Sequence, residues 1–264
     1  MNGRITVVGL GPGDAALLPP LARAALLRAQ AIVGYKGYIE LVEPSVLAGR
    51  QVLSTGMTGE VERCNAAIDL ACSGVETVVV SSGDAGVYAM AGLVLELVET
   101  RALAQTLDVE VVPGIPALCA AAALLGAPLM HDFAVVSLSD LLTPWEVILR
   151  RVTAAAGADF VIVLYNPRSV RRKDQLPTAL AAIAAHRPGT TPVGLVKRAY
   201  RPGQEVIVAS LEGLDVDAVD MQSILVVGNS ATRLVAAASG PRMLTPRGYA
   251  GKYGLLGEET PVGS

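Results

Sequence analysis

The sequence predicts an α/β protein built as two domains with a ligand cleft between them. Three observations point there. Strand-like and helix-like segments alternate through residues 1–115. The strands of that half run into glycine-rich turns. The break Pro113-Gly114-Ile115-Pro116 then precedes a second series of strands and helices. Such alternation signals a mainly parallel sheet covered by helices, and ligands of such folds bind at the carboxyl ends of strands or at domain interfaces. The expected boundaries are an N-terminal domain over 1–115, a C-terminal domain over 116–240 and a tail over 241–264.

Along the chain, Arg4–Val8 is a β-branched run that meets Gly9-Leu10-Gly11-Pro12-Gly13-Asp14, a strand entering a glycine loop. Pro19–Gln30 has helix composition with proline at its start. Glu60–Ser73 is a second helix, closed by Gly74 as C-cap. Glu76–Ser81 contains Val78-Val79-Val80, the continuous apolar run of a strand buried on both faces, and enters the turn Ser82-Gly83-Asp84-Ala85-Gly86. Val87–Arg101 reads as helix and Val109–Val112 as strand. Beyond the break, helices are expected at Ala117–Leu125, Pro144–Ala156 (with Thr143 as N-cap) and Leu176–His186. Strands are expected at Phe133–Leu138, Phe160–Tyr165, Pro192–Arg198, Glu205–Ala209 and Ile224–Gly228, and the segment from Gly240 reads as loose.

Composition narrows the class. Of 264 residues, 52% are apolar and only 17% charged, which excludes a disordered chain. Aromatics are 4%, so Ala, Val and Leu must fill the core. The mean hydropathy of +0.49 raises a membrane question. The longest uncharged stretch, Val111–Met130, is interrupted by Pro113, Pro116, Pro128, Gly114 and Gly126, so it does not read as a spanning helix. No basic segment precedes an apolar one at the N-terminus, and the expectation is a soluble cytoplasmic protein without a signal peptide. A net charge of −3 disfavours nucleic acid as partner. The three cysteines, Cys64, Cys72 and Cys119, form no C-x-x-C pair and read as small buried hydrophobes, and with only two histidines no metal site is expected.

The first glycine loop invites a dinucleotide reading, which fails on physical grounds. Asp14 would set a negative charge beside a pyrophosphate, and Pro12 removes a backbone N–H that a phosphate loop uses. Where a ribose-binding acid should follow, Ala31, Ile32 and Val33 stand instead. In the second loop Asp84 either caps the helix near Val87 or places a carboxylate near a ligand held by backbone groups; a cationic sulfonium, as in S-adenosylmethionine, suits the latter. Asn166–Lys173 concentrates Arg168, Arg171, Arg172 and Lys173 in an acidic protein. The run is either a solvated loop or an attractor of a polyanion, since arginine grips carboxylates bidentately. Lys197, Arg198 and Arg201 either extend that charge or are surface cations. His131-Asp132 and Ser137–Asp140 cluster polar groups, but without a G-x-S-x-G elbow a hydrolase is not supported. Trp145 reads as core.

With these motifs in place, Gly9-Leu10-Gly11-Pro12-Gly13-Asp14, Ser82-Gly83-Asp84 and Val112-Pro113-Gly114-Ile115 resemble the tetrapyrrole (corrin/porphyrin) methyltransferases. Further stretches resemble the subgroup that methylates precorrin-3B at carbon 17. These are Gly83–Tyr88, His131–Phe133, Ser137–Glu146, Leu164–Ser169 and Thr245–Tyr249. The resemblance implies a two-domain tetrapyrrole methyltransferase-like fold with the active site in the interdomain cleft, a homodimer, S-adenosylmethionine as methyl donor and S-adenosylhomocysteine as product. It also implies methylation of precorrin-3B coupled to ring contraction on the route to cobalamin. By position in the family pattern, cofactor contacts fall on Pro12, Ser82, Gly83, Asp84 and Val87, then on Pro116, Ala117, Tyr165, Asn166, Gly194 and Ser223. Pro116 departs from the pattern, which often has Ser or Thr there, so a hydroxyl contact is lost or replaced. Gly11 and Gly13 fall on the tetrapyrrole side, as would the Arg168, Arg171, Arg172 and Lys173 cluster.

Methyl transfer from a sulfonium needs mainly positioning, and no metal. Ring contraction moves protons and needs an acid or base within hydrogen-bonding reach. Asp14 is the first candidate, followed by Asp140, Ser139 and Asn166. Other readings are a cobalt-containing analogue of the substrate, another precorrin position, a nicotinamide-dependent reductase, or a non-catalytic tetrapyrrole carrier.

Overall fold

The computed structural model describes residues 3–254. They divide into two compact units, one comprising the chain up to Ala120 together with Ala199–Pro202, the other Ala121–Arg198 together with the chain from Gly203.

The first unit carries, in chain order, β1 (Gly3–Gly9), α1 (Pro20–Arg28), β2 (Ala31–Tyr35), α2 (Lys36–Ile39), α3 (Pro44–Leu47), β3 (Gln51–Thr55), α4 (Glu60–Cys72), β4 (Thr77–Ser81), α5 (Met90–Thr100) and β5 (Leu107–Val112). Its five strands form one sheet in the order β3-β2-β4-β1-β5, and every pairing is parallel. The Val78-Val79-Val80 run is buried on both faces, as its composition predicts. Val79 packs with Ile5, Val7 and Val33 under α4 and α5. Val78 and Val80 face the opposite way with Val8, Ile32 and Val112 toward α1, Ile39 and Val46. This is the two-residue period of a strand acting on a doubly covered sheet. Gly74 follows the C-cap Ser73 of α4 with φ 88°, a conformation glycine adopts without a Cβ clash.

Two strands of this unit were not among those expected from the sequence. β2 and β3 are only five residues each, and the alanine, glycine and polar residues in them dilute the β-branched pattern. The helix expected from Val87 begins at Met90 instead, so Ser82–Ala89 is a long non-helical connection.

Helix α6 (Ala117–Leu125) runs through the division between the units. The second unit then has β6 (Gly126–Ala127), β7 (Phe133–Ser137), α7 (Trp145–Gly157), β8 (Val161–Tyr165), α8 (Gln175–Ala184), β9 (Pro192–Lys197), β10 (Glu205–Ser210), β11 (Ser223–Val227), β12 (Arg233–Val235), β13 (Arg242–Leu244) and α9 (Tyr249–Tyr253). Its main sheet has the order β10-β9-β11-β8-β7. Only β7 and β8 are parallel; the rest of the ladder is antiparallel. One face packs Ile162, Leu164, Leu195, Leu225 and Val227 against α7 and α8, with Trp145 at the edge.

Two expectations for this half are corrected. Pro144, not Thr143, occupies the N-cap of α7, and no side chain caps it, because proline fixes the entry angle by itself. The segment from Gly240 is not loose throughout: β13 pairs with β12 and β6 in a small three-stranded sheet. The part of the expected tail beyond residue 254 lies outside the described residues. Of the cysteines, Cys64 alone is buried, and Cys72 and Cys119 are exposed.

Candidate functional site

In the first unit, β1, β4 and β5 all end at one edge of the parallel sheet, and the loops leaving them meet through backbone. Gly11 and Gly83 exchange two main-chain hydrogen bonds, Gly11 N–H to Gly83 O at 3.0 Å and Gly83 N–H to Gly11 O at 2.8 Å. Both have positive φ, 73° and 70°. Gly114 completes the junction: a Cβ there would lie 2.1 Å from the Gly83 carbonyl oxygen. One at Gly9 would lie 2.6 Å from Gly114 N. The loops approach this closely only because none of these positions carries a side chain.

Asp84 holds the junction from one side. Its Oδ1 accepts from Gly86 N–H at 2.8 Å and its Oδ2 from Gly114 N–H at 3.0 Å. It therefore ties the second loop to the Pro113-Gly114 turn and does not cap a helix at Val87. Pro116 and Ala117 stand next to this junction, where a Cβ on Gly83 would come within 3.6 Å of Pro116 Cα and Ala117 N. Asp14 is exposed and caps the short 3₁₀ turn Ala15–Leu17, its Oδ1 accepting from Ala16 N–H at 2.9 Å.

Arg201 belongs to the same unit and links the first two loops. Its Nε donates to the Pro12 carbonyl and its Nη2 to Ser82 Oγ at 2.5 Å. Gly13 packs flat on it, since a Cβ there would lie 2.6 Å from Arg201 Nε. Burial pulls the Arg201 pKa below the ordinary guanidinium value, against the pull of Tyr38. Tyr38 is itself raised, chiefly by burial, with Arg201 and then Arg63 opposing.

The second unit gathers another group at the carboxyl ends of β7 and β8. Asn166 has φ 49°, a left-handed conformation asparagine tolerates. Its Nδ2 donates to Ser137 Oγ at 3.0 Å, which also accepts from Ser139 N–H at 3.2 Å. Asp140 Oδ2 accepts from Gln175 Nε2 at 2.8 Å. Arg172 donates to Leu138 O at 3.1 Å and Asn166 O at 2.8 Å and lies 3.9 Å from Asp140. Tyr165 closes β8, opposite Ser137 in register. Ser137 thus joins Asn166 to Ser139, and Arg172 joins Asn166 to Asp140.

The basic run divides. Arg168 bonds the Val216 carbonyl at 2.6 Å and Asp217 at 2.8 Å. With Arg172 it is committed to the protein, whereas Arg171 and Lys173 are exposed. The expectation of four available charges is corrected to two, because the fold brings carbonyls of Val216, Leu138 and Asn166 and the Asp217 carboxylate within reach of the two arginine forks. Gly194 is buried, and a Cβ there would meet Leu125 at 2.4 Å. Ser223 spends its hydroxyl on Asp220, donating to Oδ1 at 2.8 Å and accepting from the Asp220 N–H at 2.9 Å. Val87 is half-buried. Among the described residues no group of three or more His, Cys, Asp or Glu side chains is placed to hold a metal ion, and no helix is long and apolar enough to cross a membrane.

The sequence profile of the Tetrapyrrole (Corrin/Porphyrin) Methylases matches residues 4–215, which include both glycine loops and the Asn166 network. The chain belongs to the tetrapyrrole methylase family. A probable cobalt-factor III C(17)-methyltransferase of Salmonella typhimurium is 50% identical over 93% of this chain and 99% of the relative. The cobalt-factor III methyltransferase of Priestia megaterium is 46% identical over 99% of this chain, which spans 48% of that longer protein. Among solved structures, the methyltransferase CobJ has a TM-score of 0.87 at 38% identity, covering 92% of this chain and all of that one.

For a tetrapyrrole methylase, the loops of the glycine junction are what sequence reading found and the cations around Tyr38 are what it missed. In the sequence Arg201 reads either as an extension of the basic run or as a surface cation, and nothing singles out Tyr38 or Arg63. The one local signal was the Tyr200-Arg201-Pro202-Gly203 turn after a strand, where Tyr200 takes φ 56°.

Proposed function

We propose that this chain transfers a methyl group from S-adenosylmethionine to C(17) of precorrin-3B, or of its cobalt-bearing counterpart cobalt-factor III, with contraction of the ring. The observation that carries this reading is the end-to-end identity of 50% to the Salmonella relative named for C(17) methylation. A precorrin-3B C(17)-methyltransferase of Sinorhizobium is 40% identical over 95% of this chain. The higher identity of the first favours the cobalt-bearing substrate.

The glycine junction suits the methyl donor. It has little side-chain bulk: Gly11 and Gly83 are buried in the joint itself, Gly114 is half-buried beside it, and Ser82 adds a half-buried hydroxyl. The Asp84 carboxylate stays in place beside it, bonded to two N–H groups, as a negative charge that favours a cation. A solved uroporphyrin-III C-methyltransferase of Thermus thermophilus, 25% identical with a TM-score of 0.63, is described as complexed with S-adenosyl homocysteine. The bound donor supplies an electrophilic methyl. The residues of this chain position the reactants, and holding them in attack geometry supplies about 7–11 kcal/mol of the barrier reduction.

In this reading Pro12, Ser82, Gly83, Asp84, Val87, Pro116 and Ala117 line the donor side of the first unit. Asp14 is the acid or base for ring contraction: it is exposed, its Oδ1 takes one N–H, and Oδ2 is left for substrate. Asn166, Ser139 and Asp140 form the second group of candidates. The deciding experiment incubates the protein with S-adenosylmethionine and each substrate under anaerobic, reducing conditions and reads product mass. Addition of one methyl group with the mass and spectrum of the contracted ring supports the reading; no methyl addition to either substrate overturns it. Asp14→Asn should retain S-adenosylhomocysteine binding and lose contraction, and wild-type rates of both steps would remove Asp14 from the role.

A further inference from the structure

The first unit holds one guanidinium group buried and a second half-buried without giving either a carboxylate. Arg63, on α4, is only 3% exposed. It donates to Thr55 Oγ1 and to Gly56 O at 3.4 Å, lies 3.9 Å from Met90 Sδ, and its Nε is buried with no partner. Arg201 bonds the Pro12 carbonyl and the Ser82 hydroxyl, and its Nη1 makes no hydrogen bond among the described residues. Neither arginine forms an ion pair with an acidic side chain there. Holding a cation away from water is costly unless an anion or full hydrogen bonding offsets it.

Thr55, the acceptor for Arg63, stands in register beside Tyr35 at the ends of β3 and β2. Tyr35 packs edge-on against Tyr38, with ring centroids 5.2 Å apart. The supporting residues stand at the carboxyl edge of the parallel sheet: Tyr35 ends β2, Thr55 ends β3, and Ser82 follows β4. Arg201 follows two non-glycine residues in the left-handed region, Arg198 at φ 48° and Tyr200 at φ 56°. Strain of this kind persists where the surroundings impose it. With Nε fixed on Pro12, the Nη1–Nη2 edge is the part of the fork left for a planar, two-oxygen acceptor.

We propose that Arg201 is a substrate-binding residue whose Nη1–Nη2 edge receives one peripheral carboxylate of the tetrapyrrole, with the charge of Arg63 and the Tyr38 hydroxyl reinforcing that subsite. This rests on the functional reading above and adds the residue that orients the macrocycle. The methyl donor also carries a carboxylate, so the test separates the two sources.

The test titrates the wild type, Arg201→Gln, Arg201→Lys and Arg63→Gln with uroporphyrin III, an eight-carboxylate porphyrin, by absorbance. A uroporphyrin analogue with its carboxylates capped as amides serves as control, and S-adenosylhomocysteine binding is measured by calorimetry. Arg201→Gln should weaken uroporphyrin binding by about tenfold or more. Arg201→Lys should recover only part of that, and Arg63→Gln should weaken it less. The amide-capped analogue and S-adenosylhomocysteine should bind all four proteins within about twofold. Equal weakening of acid and amide forms would mean that Arg201 only braces the loops and would overturn the proposal. So would a tenfold loss confined to S-adenosylhomocysteine, or an unchanged uroporphyrin affinity. Because the readout is binding, a wild type that binds uroporphyrin in this pattern yet methylates neither proposed substrate sinks the C(17) assignment and leaves the carboxylate subsite standing.

Discussion

Gly11 and Gly83, 72 positions apart, are joined by a reciprocal pair of backbone hydrogen bonds at 3.0 and 2.8 Å. The pair turns two loops that leave different strands into one rigid surface at the carboxyl edge of the sheet. No side chain takes part, so the joint depends on the absence of Cβ atoms at and around it.

Gly114→Ala tests that dependence directly. The added methyl would be 2.1 Å from Gly83 O and 2.8 Å from Gly9 C, both backbone atoms that cannot swing aside. The expected cost is about 1–3 kcal/mol of stability from overpacking, with a loss of S-adenosylhomocysteine affinity larger than the stability loss alone produces. Urea unfolding and calorimetric titration measure the two. Gly92→Ala is the control, because nothing lies within 4 Å of its Cβ position.

Asp84→Asn removes the negative charge and leaves one acceptor oxygen for two N–H groups. Each hydrogen bond to a charged group contributes about 1.5–3 kcal/mol, so a fall of that size in unfolding free energy is expected. If the carboxylate also favours the cationic donor, S-adenosylmethionine affinity should fall more than that of neutral S-adenosylhomocysteine. Equal loss for both would confine Asp84 to bracing the loop.

The basic run separates into charges with different jobs. Arg171→Gln with Lys173→Gln removes two exposed cations, and stability should move by less than about 0.5 kcal/mol. The KM for the polycarboxylate substrate should rise severalfold, with a weaker salt dependence of binding. Arg172→Met strips donors from the Leu138 and Asn166 carbonyls and should cost about 1–3 kcal/mol. Its kinetic effect should fall on kcat, through misplacement of the Asn166 loop. Melting curves and steady-state kinetics on both variants distinguish these outcomes.

Cys64 gives a pH signature. It is wholly buried, and that burial pushes its thiol from 9.0 up to about 11. The folded state therefore keeps a proton that the unfolded chain releases. The contribution is intact below pH 9.0 and is lost as pH rises to about 11. A two-unit shift corresponds to about 2–3 kcal/mol. Cys64→Ala should flatten that part of the stability profile. At pH 8, Cys72 and Cys119, which are exposed, should react with a thiol reagent while Cys64 stays unmodified until the protein unfolds.

The parts of the fold that sequence reading recovered are those with strong local periodicity or sharp punctuation. β1, β4 and α4 carry runs of apolar residues bounded by glycine, and the Pro113-Gly114 break marks the end of β5. β2 and β3 were missed because Gly34 and the polar residues of Gln51–Thr55 weaken the pattern of strands this short. The start of α5 was set three residues early because Asp84 looks like a cap in the sequence, while its oxygens go to Gly86 and Gly114.

The sequence by itself determined the alternating α/β order of the first unit, the glycine loops at its strand ends and, through those loops, the family. What only the tertiary structure decided is which polar groups are spent and which are left. Arg168 and Arg172 read as available cations and are consumed by nearby carbonyls and Asp217, whereas Arg201 reads either as an extension of that basic run or as a surface cation and sits between two loops, bonded to Pro12 from 189 positions away. Hydrophobic periodicity is local, because it follows from which face of one helix or strand meets the core. The pairing of a guanidinium is set by whichever carbonyls and hydroxyls the finished fold brings within about 3 Å of it, and nothing in the residues beside Arg201 specifies that those are Pro12 and Ser82.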